Sequence, residues 1–168
     1  MRLSASEAAS LGKYLLSGGF AFIEDSFWLK GGPSDRSLRA MQQDALAAQG
    51  LVFAKDWTFE ELPHSHPVYR CCFDFGGPPP GGDNIAVAQS YGGRRGAAPY
   101  EYLEEIVLDG RSVVVHSLKS YGTVWHRTIT GHPAHPPGTR QLQSGVNLIV
   151  FALTQEGSIT NRVMDAVR

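Results

Sequence analysis

The apolar positions near the start of the chain follow a helical spacing and then abandon it. In "SASEAASLGKYLLSGG", Leu11, Tyr14 and Leu15 fall at i, i+3 and i+4, one stripe of a helix lying on something flat. Ser4 followed by Glu7 makes a capping box at its start, and Gly18 and Gly19 supply the left-handed residue that ends it. Directly after comes "FAFIED", a nearly continuous apolar run closed by Glu24 and Asp25. Apolar on both faces, it predicts a strand buried between layers, as in a parallel α/β sheet. "GGPSDRSLRAMQQDALAAQG" repeats the order of loop, cap and helix, "LVF" is read as a short strand, and "HPVYRCCFDF" as an extended, buried one.

Gly-Pro punctuation then takes over. Residues 76–101, with "GGPPPGGD" and "GGRRGAAP", are read as a long surface insertion. "YLEEIVLDGRSVVVHSL" holds the best hairpin signal, because Asp109-Gly110 can form a type I′ turn between two β-branched runs. "RQLQSGVNLIVFALTQ" predicts a late helix with Leu142, Val146, Ile149, Val150 and Leu153 along one face. In the tail, residues 155–168, "SITNRVMDAVR" predicts a short helix capped by Ser158, with Ile159, Val163 and Met164 as its apolar side. No internal repeat interrupts residues 1–168, which read as a single α/β domain.

Composition narrows the function classes. The chain has 168 residues, 42% apolar and 18% charged, enough to bury a core. A formal net charge of -1 and a pI near 6.6 give no electrostatic reason to expect nucleic acid or an anionic membrane as partner. Arg94 and Arg95 are the one tight basic pair and sit in a glycine-rich loop. "MRLSASEAAS" lacks the apolar segment of a signal peptide, and "VNLIVFAL" falls far short of the roughly 20 residues that cross a bilayer, so the chain as written reads as soluble. Cys71 and Cys72 are neighbours, which rules out a loop-closing disulfide between them.

Candidate chemistry is sparse. "HSHPVYRCCFDF" brings His64 and His66 close to two thiols, but a metal needs three or four convergent ligands, and Pro63 and Pro67 bracket the pair. His64 and His66 are the metal candidates, and they fall short of a site. The thiols read as small apolar packing groups, and the His66 ring as one that fixes its loop through a backbone carbonyl. Glu24 and Asp25 end an apolar strand, where open α/β sheets place ligand sites. Ser117, Tyr121, Gly122 and Trp125 follow the second hairpin strand and join that rim if the strand runs parallel to "FAFIED". His132 and His135, in "GHPAHPP", read as surface residues, and Asn147 as a buried amide holding a neighbouring loop. Neither G-x-C-x-G nor G-x-S-x-G occurs, and phosphate-binding glycine motifs are also missing, so no cofactor is expected.

"YLLSGGFAFIEDS", "LPHSHPVYRCCFDF", "LEEIVLDGRSVVVHS" and "GVNLIVFALT" occur in an order and spacing that resemble the bacterial DUF4159 family, over about residues 3–154. The resemblance implies a divergent class I glutamine amidotransferase-like fold: a flavodoxin-like three-layer sandwich with a mostly parallel sheet, here joined by a β-hairpin. It implies proteins often exported or membrane-tethered, encoded beside MoxR-type ATPases and von Willebrand factor A domain proteins, with no established activity. Relatives carry hydroxyl and aromatic residues where Cys71 and Cys72 stand, and share the "HP" that contains His66. They also carry one more βαβ unit before the first helix and a shorter insertion. An N-terminally truncated sheet with an exposed edge is therefore expected, and with it a homodimer through that edge. The expected function is a non-catalytic interaction or small-ligand-binding module using Glu24, Asp25, Ser117, Tyr121 and Trp125. The alternatives are a hydrolase or amidotransferase-like enzyme using Asp25 and His66, and a metal-binding protein using His64 and His66.

Overall fold

The computed structural model describes residues 2–25, 30–81, 101–131 and 138–167. The first helix, α1 (Ala5–Leu16), starts at the Ser4–Glu7 capping box, and Gly18 follows it with φ 99°. Strand β1 (Ala21–Glu24) comes next, then α2 (Pro33–Ala47), whose first position is a proline, pre-set for a helix start. Then follow β2 (Glu60–Glu61), a 3₁₀ turn (Pro67–Tyr69), β3 (Glu104–Leu108) and β4 (Arg111–Ser117). Three helices close the order: α3 (Tyr121–Ile129), α4 (Thr139–Thr154) and α5 (Ile159–Val167).

The sheet is mixed, in the order β1-β4-β3-β2. Among the described residues only β1 and β4 pair in parallel, while β3–β4 and β2–β3 are antiparallel. This overturns the mostly parallel, flavodoxin-like and glutamine amidotransferase-like sandwich expected above, although the chain keeps an α/β character. The cause is local. Asp109 and Gly110 both adopt positive φ, 50° and 74°, the backbone a type I′ turn requires, so β3 and β4 are a hairpin and must be antiparallel. Glu60 and Glu61 then pair antiparallel with the far side of β3.

Helices cover both faces. On one, Leu15 of α1 and Leu46 of α2 pack with Trp57, Ile106 and Val114. Close approach of these two helices depends on Gly12, where a Cβ would lie 2.1 Å from the Ala45 carbonyl oxygen. On the other face, Leu148 and Phe151 of α4 pack with Leu62, Tyr69, Leu103 and Val115. Ser144 and Asn147 accompany them on the buried side of α4, so Val146, Ile149 and Leu153 of the predicted stripe point outward and are exposed.

Two strand readings fail. Phe53 makes only an isolated bridge with Trp57, so "LVF" is no strand. "HPVYRCCFDF" is not extended: Pro67 starts the 3₁₀ turn, and the Phe75 N–H returns to the Tyr69 carbonyl at 2.8 Å. Cys71 is half-buried and Cys72 is exposed, so the thiols are not a buried strand pair. Asn147 does hold this loop, its amide bonding both the N–H and the carbonyl of Phe73 at 2.8 Å. The insertion from 82 to 100 with Arg94 and Arg95, and also His132 and His135, lie outside the described residues.

Among the described residues β1 forms one end of the sheet. The Asp25 N–H bonds the Ser117 carbonyl at 2.9 Å, so strand alternation turns the N–H and C=O of Phe20, Phe22 and Glu24 away from β4. The Tyr14 hydroxyl occupies both outward groups of Phe20, at 3.0 and 3.3 Å. That leaves Phe22 and Glu24 to face outward.

Candidate functional site

Parallel pairing of β1 with β4 puts their carboxyl ends on one rim, and the loop after β4 runs straight into α3. Glu24, Ser117 and Tyr121 meet there. The Glu24 carboxylate accepts the backbone N–H groups of Tyr121 and Gly122, each at 2.6 Å, and the Ser117 hydroxyl at 3.2 Å. It occupies the first turn of α3, where exposed N–H groups and the helix dipole favour an anion. Burial nevertheless raises its pKa above the usual carboxylate value, against the lowering by those two N–H groups. Asp25 is also buried, beside the same strand end.

The aromatic pair on this rim is committed to packing. Tyr121 and Trp125 stack with ring centroids 6.1 Å apart, the Tyr121 hydroxyl bonds the Pro79 carbonyl at 2.6 Å, and the Trp125 indole bonds the Gln141 carbonyl at 2.7 Å. One feature of the turn escaped the motif search. Ser120 has φ 53°, so a serine stands at positive φ between strand and helix, as nucleophiles do at strained strand-to-helix turns. It is fully buried, and its hydroxyl is spent on Thr123 Oγ1 at 2.7 Å, with no bond to a helix N–H. The signal was "SYG", separated from the strand by two residues.

His66 lies elsewhere. Its Nδ1 accepts the Val68 N–H at 3.2 Å, so the ring fixes the 3₁₀ turn through an amide and not through a carbonyl. With Nδ1 an acceptor, the neutral ring carries its proton on Nε2, which faces Glu105 Oε2 at 3.6 Å. Burial lowers its pKa, opposed by the Glu105 charge. His66 packs on Phe151, on the α4 face, whereas alternation from Ala21 and Ile23 carries Asp25 to the α1–α2 face. Asp25 and His66, the pair of the enzyme alternative, therefore do not share a site. His64 turns to the Glu101 carbonyl at 3.0 Å, away from His66, and among the described residues no three His, Cys, Asp or Glu side chains gather as metal ligands. The Cys71 thiol bonds the Asn147 carbonyl at 3.2 Å, and burial raises its pKa.

A buried polar cluster lies under α2, among residues that sequence reasoning did not single out. Asp35 Oδ1 accepts Arg39 Nε at 2.8 Å and lies 3.0 Å from His116 Nε2, while Oδ2 accepts the Gly31 N–H at 2.7 Å. The Gln42 side-chain amide donates to His116 Nδ1 at 3.0 Å, which fixes the proton of a neutral ring on Nε2, toward Asp35. Burial and the Arg39 charge lower the His116 pKa, against Asp35 and Glu104. Arg39 and Lys30 both pair with Glu104, and Arg39 stacks over Phe59. Every polar partner is internal, so this cluster ties α2 to β3 and β4. A signal was available: "LEEIVL" puts Glu104 and Glu105 at the start of an apolar strand, one facing α2 and the other facing α4.

Two concavities lie on the α4 side. One, of about 380 Å³, is an apolar groove between α3 and α4 lined by Phe22, Trp125, Ile129, Leu142, Val146 and Ile149. The other, of about 270 Å³, is mixed, with His66, Glu105, Arg111, Ser112 and Gln155 facing Pro67, Val107 and Phe151 in its wall.

A family model described as a domain of unknown function, DUF4159, matches residues 1–153. The chain belongs to the DUF4159 family. The match takes in the rim, both concavities' main walls and the Asp35–His116 cluster, and leaves α5 outside it. No curated protein matches this DUF4159 chain. In this DUF4159 member no helix of the described residues is long and apolar enough to cross a membrane.

Proposed function

We propose that this DUF4159 chain is a non-catalytic α/β interaction module whose working surface is the apolar groove between α3 and α4, and that the groove takes the apolar side of α5 from a second copy. The observation that carries the reading is a matched pair of uncovered surfaces. Beside the groove Ile129 is 76% and Ile149 63% exposed. In α5 no residue is buried, and Ile159, Val163, Met164 and Val167 form an exposed ridge at helical spacing. Apolar surface left uncovered on this scale marks an interaction site. A ridge fits a groove, which favours a helix over strand addition, since β1 is four residues long and turns only Phe22 and Glu24 outward, with Tyr14 on the Phe20 groups before it. Reciprocal exchange of α5 closes a two-fold dimer.

Sedimentation equilibrium tests this. The wild-type chain is expected to dimerise, while Ile149→Asp (groove) and Val163→Asp (ridge) each sediment as monomers. An equimolar mixture of the two variants recovers dimer, because one ridge and one groove remain intact in the pair. A monomeric wild type, or a mixture that stays monomeric, rejects the arrangement. The MoxR-type ATPases and von Willebrand factor A domain proteins implied by the resemblance are then the partners to try on the same groove.

A further inference from the structure

We propose that the mixed polar and apolar cleft between α4, β3 and β4 binds a small neutral polyhydroxylated ring, a pyranose or cyclitol. This goes beyond the interaction surface and does not depend on it. Three polar atoms in the side chains of its wall are buried without a hydrogen-bond partner: Glu105 Oε2, Ser112 Oγ and Gln155 Nε2. Glu105 and Ser112 are 7% and 5% exposed, and native proteins seldom leave such groups unpaired. Gathered on one cleft, they define what must enter. Glu105 needs a donor, Gln155 Nε2 needs an acceptor and Ser112 serves as either, while His66 Nε2 offers an N–H beside Glu105. A hydroxyl can donate to Glu105 while its neighbour on a ring accepts from Gln155.

Charge and shape restrict the guest further. Glu105 and Glu156 oppose an anion, whereas Arg111, and Arg162 in the adjoining cleft, oppose a cation. The Arg111 guanidinium is held in place by the carbonyls of Leu15 and Gly19. Pro67, Val107 and Phe151 supply an apolar wall suited to the C–H face of a saturated ring. The volume of about 270 Å³ amounts to roughly nine waters' share of liquid, too large for one or two structural waters.

The test uses the full chain, titrated with D-glucose and myo-inositol as neutral probes and with glucuronate and glucosamine as charged counterparts, followed by backbone amide shifts. A neutral probe is expected to give saturable shifts at Val107, Ser112 and Gln155, with the charged sugars weaker by roughly tenfold or more. Glu105→Gln, which keeps the side-chain shape, weakens that binding by about tenfold while its thermal melt stays at or above wild type. Absence of saturable shifts with both neutral probes, as for a cleft holding water only, overturns the proposal. So does unchanged binding in Glu105→Gln, or glucuronate or glucosamine binding as tightly as glucose.

Discussion

Replacing Asp35 with alanine tests whether α2 is tied to the sheet by its polar cluster. The carboxylate is fully buried and serves three donors: Arg39 at 2.8 Å and His116 at 3.0 Å on one oxygen, and the Gly31 N–H at 2.7 Å on the other. Its removal leaves the His116 N–H and the Gly31 N–H without acceptors, and leaves Arg39 to Glu104 alone. Removing one partner of a buried ion pair costs about 3–5 kcal/mol. For a chain of this size that corresponds to a fall in Tm of roughly 6–20 °C. Urea unfolding followed by tryptophan fluorescence reads it directly, since Trp57 packs in the apolar cluster beneath α2. Asp35→Asn should lose less, about 1–3 kcal/mol, because its carbonyl still accepts from Arg39 and His116 while its amide meets the Gly31 N–H. An Asp35→Ala midpoint within about 1 kcal/mol of wild type, at unchanged m-value, would refute the reasoning.

Stability should decline on mild acidification, because His66 and His116 both have pKa values lowered by burial. As pH falls through about 6.5 the unfolded chain binds protons that the folded chain refuses, so stability present above that pH is lost below it, by up to about 1.4 kcal/mol per pH unit for each ring. Glu24 acts oppositely: its raised pKa gives a contribution present below the ordinary carboxylate value and lost as pH rises through the raised one. Urea midpoints at pH 7.5 and 5.5 check the histidine effect, and His116→Gln should flatten part of the slope; equal wild-type midpoints would count against it. Gly12→Ala puts a Cβ 2.1 Å from the Ala45 carbonyl oxygen and must push α1 from α2, at about 1–3 kcal/mol beyond its gain in helix propensity. A variant that melts above wild type would show that the two helices do not need this contact.

Local signals in the chain were good guides to elements. The capping box of α1, the Asp109-Gly110 turn and the Ser158 start of α5 each depend on residues within a few positions of one another, and each is present. Pairing across the sheet was harder to read. "FAFIED" is apolar on both faces because helices cover both, and a mixed sheet produces the same pattern as a parallel one. Cys71 and Cys72 misled in a similar way, since an apolar-rich segment looks like a strand until Pro67 turns it. At the rim, Glu24, Ser117 and Tyr121 were brought together as the strand-end rule implied. The cleft residues Glu105, Ser112 and Gln155 stayed hidden, because they converge only after the hairpin and α4 have folded against each other.

The carboxylate seated on the first turn of α3 acts as a tethered competitor. Any phosphate or nucleotide arriving there must displace an anion already attached to the neighbouring strand, whose local concentration no dilution can lower. Glu24→Ala would remove that competitor and free the N–H groups of Tyr121 and Gly122 for inorganic phosphate, turning a self-occupied position into a vacant receptor.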